Sequence, residues 1–241
     1  MRRLLVIPIL LIGALLALVA GTAAGNNDFV CDELVNEGTF DNVTVAKGGC
    51  GLYGTKVNGD IKNEGVLGLL LTTIVAGNVK SNGTIVLLEA GATVAGNINS
   101  DIGLVYVGNS TVGGNLNVVG GSYLTVTQST VGGNIKATGM SSFGVSRSQI
   151  GGNIKLTKST IVSDDSASLN SNLVEGNINL SHNILGETWG GGLFENSVGG
   201  NVKCTKNSPE FQMYGGNQIE GKINGCVPFA PLVTCLPPTR P

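Results

Sequence analysis

"STVGGNLNV" at residues 110–118 is answered by "STVGGNIKA" at 129–137 and "SQIGGNIKL" at 148–156. Aligning the chain on the residue after the last glycine of each corner gives Asp60, Asn78, Asn97, Asn115, Asn134, Asn153, Asn177, Asn201 and Lys222. The steps between them are 18, 19, 18, 19, 19, 24, 24 and 21 residues. A period near 19 that accepts insertions is the mark of a solenoid, in which each repeat leans on its neighbours. An earlier coil with a degenerate corner is expected over 42–59.

The flanking columns say how each coil is built. Three residues before the anchor stand Val57, Val75, Val94, Val112, Val131, Ile150, Val174, Val198 and Ile219. One residue after it come Ile61, Val79, Ile98, Leu116, Ile135, Ile154, Ile178, Val202 and Ile223. The next position turns polar: Lys62, Lys80, Asn99, Asn117, Lys136, Lys155, Asn179, Lys203 and Asn224. Apolar-in, polar-out alternation with β-branched residues is the pattern of a strand buried on one face. "TIVLL", "LVYV", "YLTVT" and "FGVS" add a second strand per coil. Stacked at about 4.8 Å per coil, the repeats make a rod roughly 45 Å long. Gly and Asn are the residues that turn left-handed most cheaply. An Asn amide can also donate to the equivalent amide of the next coil. The corner column Asn78, Asn97, Asn115, Asn134, Asn153, Asn177 and Asn201 is therefore expected to be a buried structural ladder.

Composition narrows the function classes. Thirty-eight glycines without a triplet period, and only seven prolines, exclude collagen, while 41% hydrophobic residues argue against disorder. A formal net charge of −2 offers no basic face for nucleic acid. "MRRLLVIPILLIGALLALVAGTAAG" (1–25) reads as an export signal: two arginines, an apolar run, then small residues for cleavage. Uncleaved, it would be the sole attachment to a membrane. Secretion or cell-surface location is the expectation, and it makes disulfides permissible. Cys31 and Cys50 are expected to pair, and Cys226 to pair with either Cys204 or Cys235. The remaining organisation reads as an N-terminal cap over 26–41, a β-helix over 42–225 and a C-terminal cap over 226–241. Prolines 228, 231, 237 and 238 in that last segment discourage strand addition.

These VxGNI corners resemble those of right-handed parallel β-helix proteins, which often carry asparagine ladders. The likeness covers 42–226 and is nearest to exported bacterial proteins with repeated VGGN corners and a cysteine-bearing last coil. Coil length is also similar to that of the polymer-forming bactofilins, which lack the signal and the cysteines. The resemblance implies an all-β, single-stranded right-handed parallel β-helix of nine to ten coils, 18–24 residues each. The 24-residue steps and the lack of a six-residue repeat favour it over a left-handed hexapeptide helix.

Candidate sites are few. The two longest coils insert "VSDDSASLNSN" and "LGETWGGGLFEN" at matching offsets. Stacked, these loops bring Asp164 and Asp165 toward Glu187 and Trp189. Such a cluster suits Ca²⁺, a sugar ring against the indole, or a glycosidase carboxylate pair. The Lys and Asn column is a candidate strip for an anionic polymer. Thr93, Thr111 and Thr130 form a short threonine row of the kind that ice-binding solenoids carry. It lies beside Ser110, Ser129, Ser148 and Asn196, all read as a solvated strand edge. His182 stands alone, without a Cys or second His to make a metal site. Asn42, Asn82, Asn109 and Asn179 occupy N-x-S/T sequons. The function read from sequence is an exported, non-catalytic solenoid acting as a surface structural or interaction protein without a cofactor. It associates with itself or with an extracellular polymer. A carbohydrate-binding or carbohydrate-degrading β-helix using the long loops is the second reading, and ice binding the third.

Overall fold

Every regular element of the described residues is a β-strand, and the strands pair in parallel, each with its equivalent one coil away. The computed structural model describes residues 28–101, 103–161, 167–186 and 191–229. The strands wind into a β-solenoid of about ten turns. The segment just after each Gly-Asn corner builds an eleven-stranded sheet, running from Phe29–Cys31 through Leu116–Val119 and Ile135–Thr138 to Ile223–Asn224. A second, nineteen-stranded sheet contains two series. One comprises the longer strands such as Gly121–Thr127 and Ser142–Ser146, and the other the two-residue strands just before the corner, such as Thr111–Val112 and Thr130–Val131. A middle coil thus has three strand segments rather than the two that alternation suggests.

Alternation decides what goes inside. Val112, Leu116, Val118, Leu124 and Val126 of one coil lie in register with Val131, Ile135, Ala137, Phe143 and Val145 of the next. All ten are at most 1% exposed. Each fully buried aliphatic side chain contributes roughly 1.5–3 kcal/mol, so the apolar columns are the main source of stability. Size is traded along a column: Phe143 pairs with Ala167 and Ala167 with Gly191, and the space above Gly191 is filled by the Phe211 ring.

Both ends continue the pattern. Phe29–Cys31 pairs with Val43–Val45, and Leu34–Phe40 with Gly49–Val57, so the segment expected to cover the first edge does so as a coil. Cys31 is bonded to Cys50 as expected, and Cys204, rather than Cys235, is the partner of Cys226. Cys235 and the signal lie outside the described residues. Each disulfide ties a terminal coil to its neighbour, across 19 and 22 residues.

Two expectations about the corners are overturned. No Gly-Gly-Asn glycine from Gly113 to Gly200 has a left-handed φ. Those glycines serve close approach instead: a Cβ on Gly133 would stand 2.7 Å from Asn115 Oδ1 and 3.0 Å from the Gly114 carbonyl. The left-handed residues form two other columns. One is Asn109, Gln128, Arg147, Ser171 and Glu195 (φ 47–53°); the other is Gly139, Lys158, His182 and Lys206 (φ 53–69°). Each immediately precedes a residue that turns inward.

The inward-turning residues are the second surprise. Ser110, Ser129, Ser148 and Asn196 are buried, not on a solvated edge. Their column is a hydrogen-bonded ladder. The Ser129 N–H donates to Ser148 Oγ, Ser148 N–H to Asn172 Oδ1, and Asn172 N–H to Asn196 Oδ1, at 3.1–3.2 Å. A shorter ladder at the next corner runs from Met140 N–H to Ser159 Oγ, then Ser159 N–H to Asn183 Oδ1 and Asn183 N–H to Asn207 Oδ1. These side chains satisfy backbone donors that a corner would otherwise strand inside the core.

Candidate functional site

The Gly-Asn corner column is a ladder, as its spacing predicts, but it is not buried. Asn78, Asn97 and Asn115 are half-buried, and Asn134, Asn153, Asn177 and Asn201 are exposed. The aliphatic residues on either side of each Asn point inward, and the corner between them bulges to the surface. Each Oδ1 from Asn78 to Asn177 accepts twice from the next coil. Asn115 Oδ1 takes the backbone N–H and the Nδ2–H of Asn134, both at 2.9 Å. Asn134 Oδ1 does the same for Asn153 at 2.9 and 2.8 Å. Because a backbone N–H can only donate, it fixes which way each amide faces. The column begins in the first coil, where Asn42 Nδ2 donates to Asp28 Oδ1 at 2.8 Å and Asp60 N–H to Asn42 Oδ1 at 2.9 Å, and Asp60 Oδ1 in turn accepts from both nitrogens of Asn78. It ends where Lys222 N–H donates to Asn201 Oδ1 at 2.8 Å.

Beside the ladder runs the outward column of the eleven-stranded sheet. Register places Asn117 next to Lys136, Lys136 next to Lys155, Lys155 next to Asn179 and Asn179 next to Lys203. Between the two columns lies a groove of about 620 Å³ along five coils. Asn115, Asn134, Asn153, Asn177 and Asn201 form one wall, and Asn117, Lys136, Lys155, Asn179 and Lys203 the other. No Asp, Glu or aromatic residue lines it among the described residues. Asn117 Nδ2 donates to Asn99 Oδ1 at 2.9 Å, whereas Asn179 Oδ1 is buried without a partner. The salt bridge found among the described residues, Lys62 to Glu64 at 2.6 Å, sits at the other end of this face. The Lys62 hydrogen bond, then its charge, holds the Glu64 carboxyl below the usual carboxylate range.

Asp164, Asp165, Glu187 and Trp189 lie outside the described residues. The stems of their loops stack: Thr160 bridges to Ile184, and Ala167 pairs with Gly191. Among the described residues, no three His, Cys, Asp or Glu side chains group as a metal site. His182 is an exposed left-handed corner residue whose N–H donates to Thr205 O at 3.0 Å. Thr111 and Thr130 are exposed, but Ile74 and Leu173, both 47% exposed, interrupt their column. The groove is not visible in the sequence, because its two walls are separate columns there and the Asn column, flanked by aliphatic residues, reads as part of the core. A signal was available: a column that includes Asp60 and Lys222 has charged members that an apolar interior would not accept unpaired.

The fold and the groove define a disulfide-closed parallel β-solenoid with a polar, lysine-bearing long face. Compared with protein-family models, curated proteins and solved structures, the chain matches none.

Proposed function

We propose that this protein is exported and acts outside the cytoplasm as a non-catalytic structural or interaction solenoid, with the ladder-walled groove as its working surface. One observation carries the reading. The recurring polar residues of each coil hydrogen-bond to the next coil, so the repeated chemistry goes into architecture and leaves a long, regular outer face. The two disulfides support an oxidising compartment, and the apolar N-terminal segment supports export. No cofactor is required by this function, and self-association through the terminal coils is compatible with it.

Fractionation with intact-mass analysis tests the location. The expected product is found outside the cytoplasm, shortened by about the length of the apolar leader, with Cys31, Cys50, Cys204 and Cys226 oxidised. A full-length cytoplasmic product with reduced cysteines overturns the proposal. Light scattering coupled to size exclusion, with negative-stain imaging and with or without Ca²⁺, tests the mode of action. Rods or defined oligomers indifferent to Ca²⁺ are expected, and Ca²⁺-dependent assembly would refute the cofactor-free reading.

A further inference from the structure

We infer that the groove between the asparagine ladder and the lysine column binds a linear, carboxylate-bearing polysaccharide lying along the solenoid axis. This rests on the reading of the long face as an interaction surface, and it names the ligand class.

The inference comes from counting donors. An Asn amide has two N–H donors and an oxygen with two lone pairs. From Asn115 to Asn177 both lone pairs are used, by the N–H and the Nδ2–H of the next coil, while one Nδ2–H goes to the previous coil; Asn201 Oδ1 takes one bond, from the Lys222 N–H. One N–H per rung is left over, and from Asn134 onward those rungs are exposed. Up to its last rung the ladder wall therefore offers donors and no acceptor. The opposite wall adds the ammonium groups of Lys136, Lys155 and Lys203, again donors only. With no carboxylate in the lining to answer them, the groove suits an acceptor-rich, negatively charged ligand.

Its repetition sets the ligand's shape. The donors return once per coil, about every 4.8 Å, over five coils, which fits a chain of repeating units better than a compact molecule. Two further features choose among polyanions. Seven of the ten residues in the two walls are neutral Asn and three are Lys, so charge recurs along the groove less often than donors do. A polyuronate, with neutral hydroxyls between its carboxylates, matches that mix, and a fully ionised polyphosphate does not. Single-stranded nucleic acid relies on aromatic platforms for its bases, and none lines the groove.

The test uses the oxidised mature chain and titration calorimetry with a polyuronate, neutral dextran, polyphosphate and oligothymidylate as probes. Saturable binding of the polyuronate that weakens with salt is expected, with little for the other three. Lys136→Gln/Lys155→Gln/Lys203→Gln should lower affinity roughly tenfold, three exposed charge contacts at the strength of surface ion pairs. Its circular dichroism and melting should be unchanged, since all three ammonium groups point outward. The charge-matched Lys47→Gln/Lys56→Gln/Arg147→Gln, away from the groove, should bind as the parent does. Three results would overturn the inference: no polyuronate binding, an equal loss in both triple variants, or polyphosphate or oligothymidylate bound as tightly. None of these bears on the cellular location, so this inference can fail while the export reading stands.

Discussion

Asn196→Ala and Asn134→Ala remove the same side chain from two ladders, and their difference measures what burial adds. Asn196 is 1% exposed and fully engaged: its Nδ2 donates to Leu169 O and Asn217 Oδ1 at 2.9 and 3.0 Å. Its Oδ1 accepts from Asn172 N–H and Asn172 Nδ2–H at 3.2 and 2.9 Å. Truncation leaves the Asn172 N–H stranded and takes a bond from Leu169 O. At about 1–3 kcal/mol for each buried group left unmet, the loss is about 3–4 kcal/mol. Asn134 makes three such side-chain bonds, none to a backbone carbonyl, and water reaches its corner and replaces them, so about 1 kcal/mol is expected. Urea denaturation under non-reducing conditions gives the two midpoints. Exchange of the Asn172 amide gives an independent, local readout, faster in Asn196→Ala and unchanged in Asn134→Ala. Equal losses in the two variants, or a protected Asn172 amide without Asn196, would refute the argument that the inner ladder holds up stranded backbone donors.

Four further outcomes follow from the corners, the ends and the Tyr106 phenol. Gly133→Ala should cost about 1–3 kcal/mol by thermal melting, because the new Cβ meets backbone of the previous coil. Gly139→Asn should be within about 0.5 kcal/mol of the parent, since its column already carries Lys158, His182 and Lys206 at the same left-handed φ. The pair Cys204→Ser/Cys226→Ser opens a link across 22 residues, worth about 3 kcal/mol in the chain-entropy account. Coupling in a solenoid runs between neighbours, so faster amide exchange should concentrate in Val202–Thr205 and fade toward the middle coils. Burial, then the Glu89 carboxylate, raises the Tyr106 phenol above its ordinary 10.0. The folded state therefore favours the neutral phenol. That contribution is present below the unfolded pKa and lost as pH rises through the folded one. Ultraviolet difference titration should show Tyr106→Phe deleting a phenol that ionises above the ordinary tyrosine value.

The sequence displayed this fold because the two inward positions that flank each corner are aliphatic without exception. The columns of Val131 and Ile135 repeat in every coil with the spacing of a strand and leave few other folds open, although the next inward column, that of Ala137, includes Asn63, Ser81 and Ser100. Cys31 and Cys50 were matched for a similar reason, one coil apart at an end. The burial of the polar columns was not legible. Asn134 sits between two inward residues in sequence, yet the chain bends outward at that point, which a linear pattern does not record. Ser129 and Asn172 share a column across coils of different length, and serine and asparagine do the same work there by accepting from a backbone N–H. The left-handed columns were hidden for another reason. Gln128, Arg147 and Glu195 have nothing chemical in common, and their shared geometry is dictated by the inward residue that follows each. The groove required both walls to be placed at once.

The outer ladder has a direction. Every amide points its hydrogens toward the first coil and its oxygen toward the last, so the aligned dipoles present their positive end at Asp28 and their negative end at Lys222. Each terminal residue carries the charge that suits its end. Each rung from Asn78 to Asn177 takes two bonds from the coil after it and gives two to the coil before. It does so whether 18, 19 or 24 residues separate the rungs, and the last rung, Asn201, takes one across 21. A coil duplicated or deleted in the middle would leave both ends and every remaining rung chemically intact. The number of coils is thus a quantity that this architecture leaves free to vary, with rod length and groove length varying in step.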